Sequence, residues 1–146
     1  VLGYLRIGLI GLIVLGIIIR VLTDKKELTK KHYYGKYIIN RNYFKGKQSD
    51  WQYNHFRFEI KENDSIYFYV TEKESIVRTY RGSITTTGAA QYPSERLIIN
   101  MEKPTHHILT SNPTTYRSVW NFYLVFNSPK FNNVYFRKGQ WESIEE

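Results

Sequence analysis

Ile7 to Ile19 form an unbroken apolar and glycine run, IGLIGLIVLGIII, bracketed by Arg6 and Arg20. The run alone is too short for the roughly 30 Å hydrocarbon layer of a bilayer. Counted from Val1 to Leu22, a helix rising about 1.5 Å per residue reaches about 33 Å, which suffices. Arg6 and Arg20 then fall near its ends, where long stems carry their charge back to the headgroups. A cleaved secretory signal needs small residues at its exit, and Gly16-Ile-Ile-Ile-Arg20 supplies none. A buried core helix needs a polar face, and none interrupts the run. Residues 1–22 are therefore expected to form a single transmembrane anchor.

Flanking charge sets the expected orientation. Arg6 precedes the run, whereas Arg20, Lys25, Lys26, Lys30 and Lys31 follow it. That excess places the following domain in the cytoplasm, on a bacterial inner membrane; basic residues ahead of Val1 would reverse this to the periplasm. The bacterial assignment follows from abundant Ile, Lys, Asn and Tyr. Residues 23–32 read as a basic juxtamembrane connector in contact with membrane lipid. The net charge of +8 divides evenly: residues 1–32 hold six Lys/Arg against two Asp/Glu, leaving fifteen against eleven. The domain's basic residues form no run, which disfavours nucleic acid. Without cysteine there is no disulfide or thiolate chemistry.

Beyond the connector the period changes from helical to alternating. Eight strands are expected: 34–41, 55–61, 65–71, 76–87, 96–103, 105–111, 119–127 and 134–138. Phe56, Phe58, Ile60, Ile66, Phe68, Val70, Leu97, Ile99, Met101, Trp120, Phe122, Leu124 and Phe126 are expected to face inward. Gly82 is a candidate bulge or bend. Residues 42–54 and 88–95 read as loops, with no helix between strands, and 142–146 as an acidic tail. Short turns between consecutive strands favour an all-β domain over 33–141, an up-and-down antiparallel barrel or curled sheet, with a β-sandwich as the other architecture.

Gly35-Lys36-Tyr37 opens the first strand, a long loop follows it, and Arg137 lies late in the last strand. In these features residues 33–141 resemble the lipocalin-like, or calycin, barrels, which carry Gly-x-Trp at the first strand and a basic residue covering it from the last. Tyr37 stands where that pattern has Trp. The resemblance implies a small barrel able to hold a lipid or other small apolar ligand, although the large inward aromatics would fill much of it.

Catalytic signatures are missing. His106 and His107 are the obvious metal or base candidates, but on a strand neighbours point to opposite faces and cannot share a site. Lys45-Gly46-Lys47 lacks the spacing of a phosphate loop. No cofactor or metal is implied. Two segments read as contact surfaces: Gln48–His55, with Trp51, Tyr53 and His55, and Pro104–Trp120, with His106, His107, Tyr116 and Arg117. For Trp51 the other reading is a plug at the barrel end, and for Pro104–Trp120 a polar hairpin. Together these features suggest a non-catalytic accessory subunit of an integral membrane protein complex, or else a tethered barrel for an apolar ligand. Gly3, Gly8, Gly11 and Gly16 would permit close helix approach in the first case.

Overall fold

The computed structural model describes residues 2–23, 27–42, 46–87 and 94–144, without side chains at 2, 19–23 and 47. Lys25, Lys26 and Lys45, the side chain of Arg20, most of the 88–95 loop and the last two residues of the acidic tail lie outside them. The elements run α1 (Leu2–Thr23), α2 (Lys30–Tyr33), β1 (Gly35–Ile39), α3 (Lys47–His55), β2 (Phe56–Ile60), β3 (Ser65–Glu72) and β4 (Ser75–Thr86). They continue through β5 (Leu97–Met101), a 3-10 turn (His107–Leu109), β6 (Thr114–Arg117), β7 (Phe122–Ser128) and β8 (Asn132–Lys138).

All eight strands join one antiparallel sheet in the order β5-β4-β3-β2-β1-β8-β7-β6, curled into a half-barrel. Strands adjacent in sequence pair with each other except β5 and β6, and β8 returns to β1 with Tyr37 opposite Lys138. The single curled sheet answers the all-β expectation, and among the described residues there is no second sheet to make a sandwich. β5 and β6 lie at its two ends, and side chains bridge them. Ile99 N–H donates to Asn112 Oδ1 at 2.9 Å. The Tyr33 hydroxyl donates to the Glu95 carbonyl at 2.6 Å and meets Thr115 Oγ1 at 3.3 Å.

Alternation along β2 and β3 builds the core. Phe56, Phe58, Ile60, Ile66 and Phe68 are buried, with Phe58 directly opposite both Tyr37 and Phe68. Tyr37 stacks on Phe58 at 4.5 Å, and Phe136 and Phe126 meet the same ring edge-on at 4.9 and 5.7 Å. Each such aromatic stabilises the fold by about 2–3 kcal/mol through burial. The interior of the curl is thus filled with side chains.

Four expectations are corrected. Thr105–Ser111 is not a strand: Leu109 N–H donates to the His106 carbonyl at 2.9 Å, closing the backbone into a turn that buries Ile108 and Leu109. The sixth strand is instead Thr114–Arg117. Trp120 does not face inward but is 75 % exposed. Ser118 and Asn121 close the β6–β7 hairpin through reciprocal bonds of 2.7–3.0 Å, which places Val119 and Trp120 at its tip. The register shift falls between Val70 and Thr71 rather than at Gly82. Finally, residues 47–55 form helix α3. Its buried positions Ser49, Gln52 and Tyr53, with Phe56 just beyond, recur at helical spacing against the sheet.

α1 is helical as expected, but among the described residues no helix is long and apolar enough to cross a membrane. Its described side chains run only from 3 to 18, about 24 Å of rise.

Candidate functional site

The β6–β7 hairpin and the C-terminal half of β8 form one wall of an open groove of about 570 Å³. Hairpin pairing sets Tyr116 opposite Tyr123, and their rings stack at 5.2 Å, 10° from parallel. The same register sets Arg117 opposite Phe122, and Lys138 Nζ lies 5.6 Å above the Phe122 ring. Arg137 lines the groove from β8, Asn40 from the exit of β1 and His32 from α2. His32 Nδ1 accepts the Thr29 N–H at 2.9 Å. In the neutral ring that leaves its proton on Nε2, as a donor. Among the described residues, four basic side chains share the lining with neutral donors, and no Asp or Glu is among them.

The basic residue opposite Tyr37 is Lys138, not Arg137. Arg137 pairs with Ile38, so it stands on the other face of the sheet from Tyr37. Tyr37 itself is buried and donates its hydroxyl to the Tyr33 carbonyl at 2.6 Å; burial pushes its ionisation far above the ordinary tyrosine range. Tyr37 thus ties the connector to the first strand.

Of the α3 candidates, Trp51 is 45 % exposed, stacks on His55 at 4.4 Å and meets Phe56 edge-on at 5.6 Å. It caps the core and still presents one side outward. His55 Nδ1 lies 2.7 Å from the Trp51 carbonyl, a donor's position. Tyr53 is buried, with its hydroxyl bonded to the backbone of Glu142. It serves packing rather than the surface.

His106 and His107 are brought together, contrary to the opposed faces a strand would give. Their ring centroids are 4.2 Å apart. His106 packs among Phe68, Phe56 and Tyr80 at 5.0–5.6 Å, closing one end of the curl. Burial, then the neighbouring His107, lowers its pKa to about 4. His107 Nδ1 contacts Ser128 Oγ at 2.8 Å, which superficially resembles an activated serine. Ser128 is almost fully buried, however, and its oxygen already accepts the N–H groups of Lys130 and Phe131 at 3.2 Å. It braces the β7–β8 turn. Among the described residues no three His, Cys, Asp or Glu side chains gather in a metal-binding set.

The connector is pinned to the domain. Lys30 Nζ pairs with Asp64 Oδ2 at 2.9 Å, and the Tyr34 hydroxyl donates to Asp64 Oδ1 at 2.6 Å. These two partners, Tyr34 first, hold the Asp64 carboxyl below its ordinary range. Lys31 and Arg6 are exposed. Tyr116 and Arg117 are the sequence candidates that the groove uses. His32, Asn40, Asn121 and Lys138 were not signalled as contacts, because their convergence depends on β8 pairing with both β1 and β7.

No protein-family model, curated protein or solved structure matches the chain.

Proposed function

We propose that the chain is a single-pass, membrane-anchored and non-catalytic accessory or assembly subunit of a bacterial membrane protein complex, docking through α1 and the β domain. The observation supporting this is the condition of α1. Every described side chain from 3 to 18 is exposed, the large apolar ones and Tyr4 ranging from Ile18 at 49 % to Tyr4 at 83 %. Such a surface is unfavourable in water and asks for lipid or another helix to cover it. A Cβ built on Gly3, Gly8, Gly11 or Gly16 would meet nothing within 4 Å, so a second helix could approach closely there. A second contact through the β domain would raise overall affinity without a large interface. The charge following the apolar run favours the cytoplasmic side of an inner membrane for the domain, which basic residues ahead of Val1 would reverse to the periplasm.

The test is extraction at native expression in mild detergent, followed by size separation and mass spectrometry of co-migrating chains. Stoichiometric integral-membrane partners are the expected result. Migration of the 17.5 kDa chain alone would overturn the proposal.

A further inference from the structure

We propose, on the reading of α1 as a membrane anchor, that the end of the half-barrel where α2 attaches rests on the bilayer, with Trp120 seated among the lipid headgroups. Strand direction fixes which turns share that end. Gly35 opens β1 directly after α2, and its partner Ile60 closes β2. Phe122 opens β7, and its ring lies 6.5 Å from that of Tyr37 in β1. The β2–β3 and β6–β7 turns therefore lie at the same end of the curl as α2. Two contacts hold α2 there. Tyr33 meets Phe122 edge-on at 5.4 Å, and Lys30 pairs with Asp64 of the β2–β3 turn at 2.9 Å.

Chain length then limits how far this end can stand from the anchor. α1 runs to Thr23, whereas Leu28 is buried in the core and donates its N–H to Ser94 Oγ at 2.9 Å. The five steps between them span at most about 18 Å. The turns at the other end lie a strand's length beyond, about 20 Å for the seven residues of β7. At the near end Trp120 is 75 % exposed, more than any other large apolar side chain beyond α1 among the described residues. An indole buries its ring at the hydrocarbon edge while its N–H meets headgroup oxygens, so Trp gathers at membrane interfaces. Lys31, exposed on α2, suits the same layer. Ile76 and Val77 are also exposed, but they flank the β3–β4 turn at the far end. Seated at this height, the domain meets an integral partner where that partner leaves the bilayer.

The chain lacks cysteine, so Asn121→Cys, Glu62→Cys and Glu74→Cys can each carry one nitroxide, the first two at the near end and the third at the far end. Each labelled full chain would be reconstituted in vesicles of phosphatidylcholine and phosphatidylglycerol, washed in alkaline carbonate and floated. Electron paramagnetic resonance would then read collision with oxygen, which enters lipid, and with a nickel chelate held in water on both faces. Labels at 121 and 62 are expected to be roughly threefold less accessible to nickel than the label at 74. Adding Trp120→Gln should remove most of that protection. Vesicles that float with all three labels equally accessible would overturn the inference while leaving the anchor standing, and would leave Trp120 to a protein partner. Protection that survives Trp120→Gln would overturn the role of that side chain. Failure to float would overturn anchor and seat together.

Discussion

The Tyr53 hydroxyl closes a small ring with the backbone of Glu142, donating to its carbonyl at 3.0 Å and accepting its N–H at 2.8 Å. A side chain of α3 thus does for the C-terminal segment what a neighbouring strand would do, while Trp141 stacks on the same phenol at 6.1 Å. Tyr53→Phe keeps the buried ring and removes both bonds. A loss of about 1–2 kcal/mol in urea unfolding is expected, with faster amide exchange at Glu142. Unchanged exchange there would mean the tail is held by Trp141 alone.

His106 makes the fold sensitive to acid. Its pKa is lowered to about 4 in the folded chain from an ordinary 6.5. Between those values the unfolded chain binds the extra proton, so stability rises with pH across this window and falls as pH drops through it. The melting temperature should decline from pH 6.5 toward 4, and His106→Gln should flatten that part of the profile. An unaltered slope would assign the acid sensitivity to other groups.

Gly82 is required by close approach rather than by turn geometry. A Cβ there would meet the Asn100 carbonyl oxygen and lie 2.6 Å from Met101 Sδ and 2.8 Å from its Cα. Since part of the obstruction is backbone of β5, Gly82→Ala should destabilise by about 2–3 kcal/mol, read as a lower urea midpoint at constant slope. Wild-type stability would show that β5 can move away.

Trp120, at the tip of the β6–β7 hairpin, offers a test of the docking surface that does not disturb the core. Trp120→Ser should change stability by less than about 0.5 kcal/mol. In the accessory-subunit reading it should also reduce recovery of co-purifying partners, as should Trp51→Ala. Full recovery with both variants would place the contact elsewhere on the chain.

Much of the sheet was legible in the sequence because alternation over β2 and β3 leaves one face apolar, and burial then follows side-chain period. Helix α3 was not. Two of its buried positions, Ser49 and Gln52, are polar, so a helical pattern of burial carries no helical pattern of hydropathy. Trp120 misled for the opposite reason: it continues the alternation of β7 in sequence, but the Ser118–Asn121 turn ends the strand before reaching it. The His106–His107 proximity was hidden because two adjacent residues oppose each other on a strand but not on a 3-10 turn. The groove is harder still to foresee, since Tyr116 and Arg117 meet Lys138 only through pairings between strands distant in the chain.

Among the described residues, one ladder alone joins distant parts of the sequence. Every hairpin pairs neighbours, whereas β1 and β8 bring together positions about a hundred residues apart, the costly closure for chain entropy. The connection from β5 to β6 runs between the sheet's two ends and carries none of the ladders. It is a handle rather than a hinge. Cutting it would break none of the ladders, and the two meanders would still meet through β1 and β8 and through the core that Ile108 and Leu109 enter.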